Sequence, residues 1–129
     1  MAEAIRAHAI AELPNEACGI IVGTADPGAG GEALRYAPCR NEAASPVLYR
    51  VHPDDLYRLA VATDDAGEAF WGIVHSHVRS AAVPSRRDVE AASWPSTLYI
   101  LVAVETHELR AWRIVDGAAH EIPLAVVAS

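Results

Sequence analysis

The stretch HSHVRSAAVPSRRD, from His75 to Asp88, limits the fold more than any other part of the chain. It follows an apolar run of strand length, Phe70 to Val74, and in a strand residues i and i+2 point to one face. His75 and His77 therefore present two imidazoles from one side of a sheet, with Ser76 directed to the other. Ser85 is a favourable N-cap for a short helix running to about Ala92, before Trp94 and Pro95 stop it. Asp88 lies one turn into that helix. The intervening loop is long enough to fold the helix back, so the carboxylate can join the two imidazoles.

The remaining segments supply the elements around this point. Residues 2 to 13 are rich in helix formers, and Pro14 ends them because it cannot continue the hydrogen-bond ladder. Cys18 to Val22 is an apolar run between Gly19 and Gly23, the pattern of a buried strand. A loop dense in Gly and Pro leads to a second strand at Ala33 to Ala37, and Val47 to Val51 reads as a third. Pro53, Asp54 and Asp55 open a second helix with Leu56, Leu59 and Ala60 on its core face, and Gly67 closes it. Thr97 to Val104 and Glu108 to Val115 are β runs, and Asp116-Gly117 turns the chain into a last strand at Ala119 to Ile122. The sum is a mixed α/β chain without repeats.

The chain has 129 residues, room for one domain, and 52% hydrophobic against 21% charged residues gives it enough apolar surface to fold. Its net charge is −7, and its ten basic residues are arginines scattered along the sequence, so no basic stripe is present to follow a phosphate backbone. Nucleic acid is therefore a poor candidate partner. No apolar run has the roughly 18 to 20 residues that span a bilayer, and the N-terminus lacks the order of a signal peptide, so the expectation is a cytoplasmic protein without membrane attachment. Cys18 and Cys39 are too few for a disulfide framework; Cys18, in a buried strand, reads as core.

Two imidazoles and one carboxylate leave a fourth position open on a metal, the arrangement of catalytic rather than structural zinc. Hydrolysis of a peptide bond at such a centre also needs a base, and Glu16, in LPNEACG at the entrance to the first strand, can project a carboxylate toward it. Ser85, three residues before Asp88, can donate its hydroxyl proton to an oxyanion. Arg50 and Arg79 flank this groove and are the residues suited to a substrate carboxylate. His8, His52, His107 and His120 have no ligand spacing and read as structural.

His75-Ser76-His77, seven residues, Ser85, two residues and Asp88, with Glu16 upstream in PNEACG, resembles the JAMM (MPN+) metalloprotease signature at every motif position. The resemblance extends through SPVLYRVHPDDL and TLYILVAV to LRAWRIVDG and so covers nearly the whole chain. It implies an α/β (α+β) fold of the cytidine-deaminase-like type, a curved mixed β-sheet flanked by helices, as a single domain over residues 1–129. It implies Zn2+ on His75, His77 and Asp88, Glu16 as general base and Ser85 as stabiliser of the intermediate. Within the family the chain is most similar to short bacterial Mec-type members, which remove cysteine from the C-terminus of a ubiquitin-like sulfur-carrier protein in cysteine biosynthesis. The implied partner is such a carrier with a Gly-Gly end, lying extended beside the site; a homodimer is among the arrangements relatives suggest. The other readings are a JAMM isopeptidase acting on another ubiquitin-like protein and a non-catalytic MPN-like module, which would lack a ligand or the glutamate. One departure is that the chain starts almost directly at the first helix, where family members usually carry a short strand.

Overall fold

Near-continuous apolar strands such as CGIIVG and LYILVA give one sheet two buried faces, and helices close both. The computed structural model describes residues 1–126. Helix α1 (Ala2–Ala11) is followed by strands β1 (Cys18–Gly23) and β2 (Ala33–Cys39), helix α2 (Pro53–Ala66), strand β3 (Ala69–His77), helix α3 (Arg86–Ala91) and strands β4 (Leu98–Ala103), β5 (Leu109–Val115) and β6 (Ala118–Ile122). The sheet order is β2-β1-β3-β4-β5-β6. Among the described residues only β3 and β4 run parallel, as the crossover through α3 requires, and the other pairs are antiparallel.

One face gathers Cys18, Ile20, Val22, Ile73, Tyr99, Leu101, Ala103 and Trp112, with Leu59 of α2 packed on it. The other gathers Ile21, Val74, Leu98, Ile100 and Val102 under Ile5 and Ala9 of α1. Helix α1 is tied to the sheet by His8 Nδ1, 2.7 Å from the Tyr36 hydroxyl. Tyr36 in turn occupies the space over Gly19, where an added Cβ would lie 2.4 Å from its ring. The parity of the strands thus decides that α1 lies on the Ser76 side and the histidines on the other.

The expected mixed sheet flanked by helices is the observed architecture, with two local corrections. Val47 to Val51 is not a strand: Val51 makes an isolated bridge to Asn41, and the segment from Arg40 to His52 closes on itself through Glu42 N–H to Arg50 O (2.8 Å) and His52 N–H to Arg40 O (3.0 Å). The buried face of α2 is Asp55, Leu59 and Thr63, spaced four apart, while Ala60 is exposed. Asp55 is buried because Arg40 meets it with its guanidinium and its own backbone N–H. As expected, the apolar run and the two histidines lie on one strand, since β3 continues through His77. Among the described residues no helix is long and apolar enough to cross a membrane.

Candidate active site

Strand β3 holds the first two groups of the site. His75 pairs with Cys18 of β1 on one side and Leu101 of β4 on the other, and His77 pairs with Ala103, so both histidines sit between neighbouring strands on one face. Their exposures are 1% and 4%. Beyond the last β1 pair the same register continues: Ser76 N–H donates to Ala17 O (3.0 Å) and Ser76 Oγ accepts from Ala17 N–H (2.8 Å). One place further on, Glu16 falls opposite His77. Its backbone is pinned on both sides, the N–H to Ser45 O (2.8 Å) and the carbonyl by Asn41 Nδ2 (3.0 Å).

Asp88 arrives on α3. Ser85 and Asp88 form a reciprocal capping box, Asp88 N–H donating to Ser85 Oγ (3.0 Å) and Ser85 N–H to Asp88 Oδ2 (2.9 Å). The cap fixes the carboxylate, whose Oδ2 also lies 3.2 Å from His75 Nε2 and 3.0 Å from His77 Nε2. The loop between is anchored from below, because the Trp112 indole donates to the carbonyl of fully buried Ala82 (3.0 Å).

The protonation pattern says what these three groups suit. His77 Nδ1 lies 2.7 Å from Ala81 O, an acceptor only, so that nitrogen carries the hydrogen. In the neutral ring Nε2 is then a bare lone pair, facing a carboxylate oxygen at 3.0 Å. Two acceptors approach so closely only with a positive charge between them or on the ring. His75 repeats the theme: both of its ring nitrogens are buried without a hydrogen-bond partner. One donor atom from each of His75, His77 and Asp88 lies within 4.8 Å of the others. The orphaned nitrogens and the mixed imidazole and carboxylate donor set fit a divalent cation.

Burial holds His75 below the ordinary imidazole pKa, favouring the neutral form that can ligate. Burial also works against a charged His77, but its hydrogen bonds to Asp88 and Ala81 prevail and lift it. Burial likewise opposes the Asp88 carboxylate, and the two imidazoles overcome it, keeping Asp88 well below the usual carboxylate range. Glu16 has no such partner: desolvation, partly offset by His77, pushes its pKa up to about 7.

Glu16, His77, Arg79 and Ser85 line one open cavity of about 650 Å³ with Pro14, Pro46 and Val47 on its wall. Ser85 uses an oxygen lone pair for the cap and keeps its proton free for a guest. Arg79 stands exposed at the mouth. Arg50 does not belong with it, lining a separate cavity of about 310 Å³ and turning toward Glu42 at 3.7 Å. Cys18 is a core thiol, fully buried and pushed up to about 12 by desolvation. Ser76, already directed away from the histidines by the strand period, shapes the site together with two residues given no role by the sequence, Asn41 and Tyr49, whose ring stacks on His75 with centroids 4.0 Å apart. Only Ser76 had a local signal, its place between the two histidines.

The profile of prokaryotic homologs of the JAB domain matches residues 1–115. The chain is 39% identical to a protein named CysO-cysteine peptidase from Mycobacterium tuberculosis, covering 98% of this chain and 87% of that one. It is 31% identical to a probable TtuB-protein conjugate cleaving protease of Thermus thermophilus, over 97% of this chain and 78% of the relative. A JAB1/MPN domain protein from Archaeoglobus fulgidus superposes with a TM-score of 0.62 at 16% identity, covering 99% and 94% of the two chains, a likeness of fold alone.

Proposed function

The chain belongs to the prokaryotic JAB family, and from that premise we propose that it is a zinc-dependent peptidase that releases cysteine, or a short C-terminal extension, from a ubiquitin-like sulfur-carrier protein ending in Gly-Gly. One observation carries the reading: His75, His77 and Asp88 converge within 4.8 Å beside a buried Glu16 that opens on the same cavity. His75 Nε2, His77 Nε2 and Asp88 Oδ2 would hold the ion. Bound zinc supplies positive charge that polarises the scissile carbonyl and acidifies a water.

The chain's own groups do the rest. Glu16 takes the proton of the attacking water and returns it to the leaving amine, work suited to a carboxylate that burial has made more basic. The free hydroxyl proton of Ser85 is donated to the oxyanion that forms at the carbonyl. Arg79, at the mouth, takes the α-carboxylate that a single released residue would carry. On this reading the protein works in the cytoplasm, in cysteine biosynthesis.

The Thermus thermophilus relative keeps a second reading in view, cleavage of a protein conjugate, where the leaving amine belongs to a folded chain. A comparison of a carrier–cysteine adduct with an isopeptide-linked carrier separates the two. Wild type and Glu16→Gln are expected to hold about one zinc per chain, with cysteine release at least ~100-fold slower in the variant. A wild-type protein that takes up no zinc would sink the proposal. Arg79→Ala is expected to raise KM roughly tenfold for an adduct with a free terminal carboxylate and to leave KM for its amide unchanged; equal effects on both would remove Arg79 from substrate recognition.

A further inference from the structure

Asn41 does not line the cavity, yet every hydrogen-bonding position of its amide is used, and each bond ties down backbone next to the site. Nδ2 donates to Glu16 O and to Leu48 O, both at 3.0 Å. Oδ1 accepts from Arg50 N–H at 2.9 Å and Ala43 N–H at 3.1 Å. Two carbonyls on one side and two N–H groups on the other allow a single orientation of the amide. Two of these partners, Leu48 and Arg50, flank Tyr49.

Tyr49 lies over His75, the rings 4.0 Å apart and 15° from parallel. His77 has a hydrogen bond to set its ring, through Nδ1 to Ala81 O. His75 has none on its second nitrogen: Nε2 faces Asp88 Oδ2 at 3.2 Å, and Nδ1 is buried without a partner. Metal-binding histidines ordinarily take their orientation from a hydrogen bond on the second nitrogen. Here a stacked ring stands in that place, and it restricts rotation of the imidazole about its bond to Cβ.

We propose that Asn41 and Tyr49 are positioning residues for the metal centre: Asn41 clasps the 48–50 backbone to Glu16, and Tyr49 holds the His75 ring in the orientation that ligates. The inference rests on the reading of His75, His77 and Asp88 as a metal site. The same amide thereby fixes the base and one ligand relative to each other, so a loss at Asn41 touches both metal affinity and turnover.

The test is Zn2+ affinity, measured by competition with a chromophoric chelator, with metal-free unfolding in urea as the fold control. Tyr49→Met fills similar space without a flat ring and is expected to weaken zinc binding about 10- to 100-fold. Tyr49→Phe restores the ring and is expected to restore wild-type affinity. Asn41→Asp keeps both acceptor bonds, loses both donors, and is expected to weaken zinc binding and lower kcat with KM little changed. Wild-type affinity in a folded Tyr49→Met, or a Tyr49→Phe as weak as Tyr49→Met, would overturn the role of Tyr49. If Tyr49→Met does not fold, Asn41→Asp decides, and wild-type affinity there overturns the clasp. A wild-type protein that binds no zinc removes the metal-site reading itself and this inference with it, whereas zinc binding unchanged across folded variants removes the clasp alone.

Discussion

Ser85 serves two ends through different parts of one hydroxyl. Its lone pair caps α3 and so holds Asp88, while its proton is free toward the cavity. Ser85→Ala is expected to lower stability by about 1 kcal/mol, the usual loss of a cap. It is also expected to lower kcat by roughly 10²- to 10³-fold, the usual loss of an oxyanion donor. Thermal unfolding and steady-state kinetics at a temperature where the variant is folded separate the two, and an unchanged kcat would leave Ser85 as a cap only. Residues whose work is local could be read in the sequence: the period of a strand puts His75 and His77 together, and the cap spacing puts Ser85 with Asp88. Asn41 and Tyr49 could not, since they act on groups distant in sequence, such as Glu16 and His75, and no local pattern encodes such a meeting. Arg50 was misplaced for the same reason, its direction being set by Glu42 and the closed loop rather than by its neighbours in the chain.

Among the elements, α2 shows how a buried charge can be misread as a surface one. Asp55 in the first turn looked like an ornament of the helix dipole, and it is 8% exposed. Its hydrogen bonds from the Arg40 side chain and the Arg40 N–H hold its pKa at about 2, below an ordinary value of 3.8. A folded-state pKa below the unfolded one means stability that is present above about pH 4 and lost as pH falls toward 2. Asp55→Asn is therefore expected to be less stable than wild type by about 1 to 2 kcal/mol at pH 7. Urea unfolding across this range should show the gap narrowing toward pH 2; a constant gap would mean that the pair does not carry the charge dependence. The same Arg40 begins the loop that replaces the expected strand at Val47 to Val51. β-propensity was present there, but β2 ends at Cys39 and Asn41 gathers the following backbone onto its own side chain, which leaves no neighbouring strand to pair with.

For the whole molecule, the architecture was legible because strand periods, caps and turns agree with one another, and the family resemblance covers the same elements. The site joins parts that would otherwise be independent: His75 and His77 from the middle of the sheet, Asp88 from a six-residue helix held by its cap. An ion bound by all three stabilises only the folded chain. With zinc at about a hundredfold its dissociation constant, stripping it with a chelator is expected to lower the melting temperature by about 10 °C. Scanning calorimetry with and without chelator checks this, and coincident transitions would count against a metal held by the fold.

The placement of Ser76 between the two histidines carries a consequence for how this sequence can change. Its side chain faces α1's layer and theirs face α2's, so from Ile73 to His77, beyond the bulge at Trp71, odd and even positions of β3 have opposite duties. One amino acid inserted or deleted between Ile73 and His75, past the bulge that already absorbs Trp71, would exchange those duties, sending both imidazoles into the layer under α1 and a lone hydroxyl to the ligand position. The gene can therefore tolerate length changes in the 24–32 loop far more readily than between Ile73 and His77, where a shift by a single codon moves the ligands and the packing together.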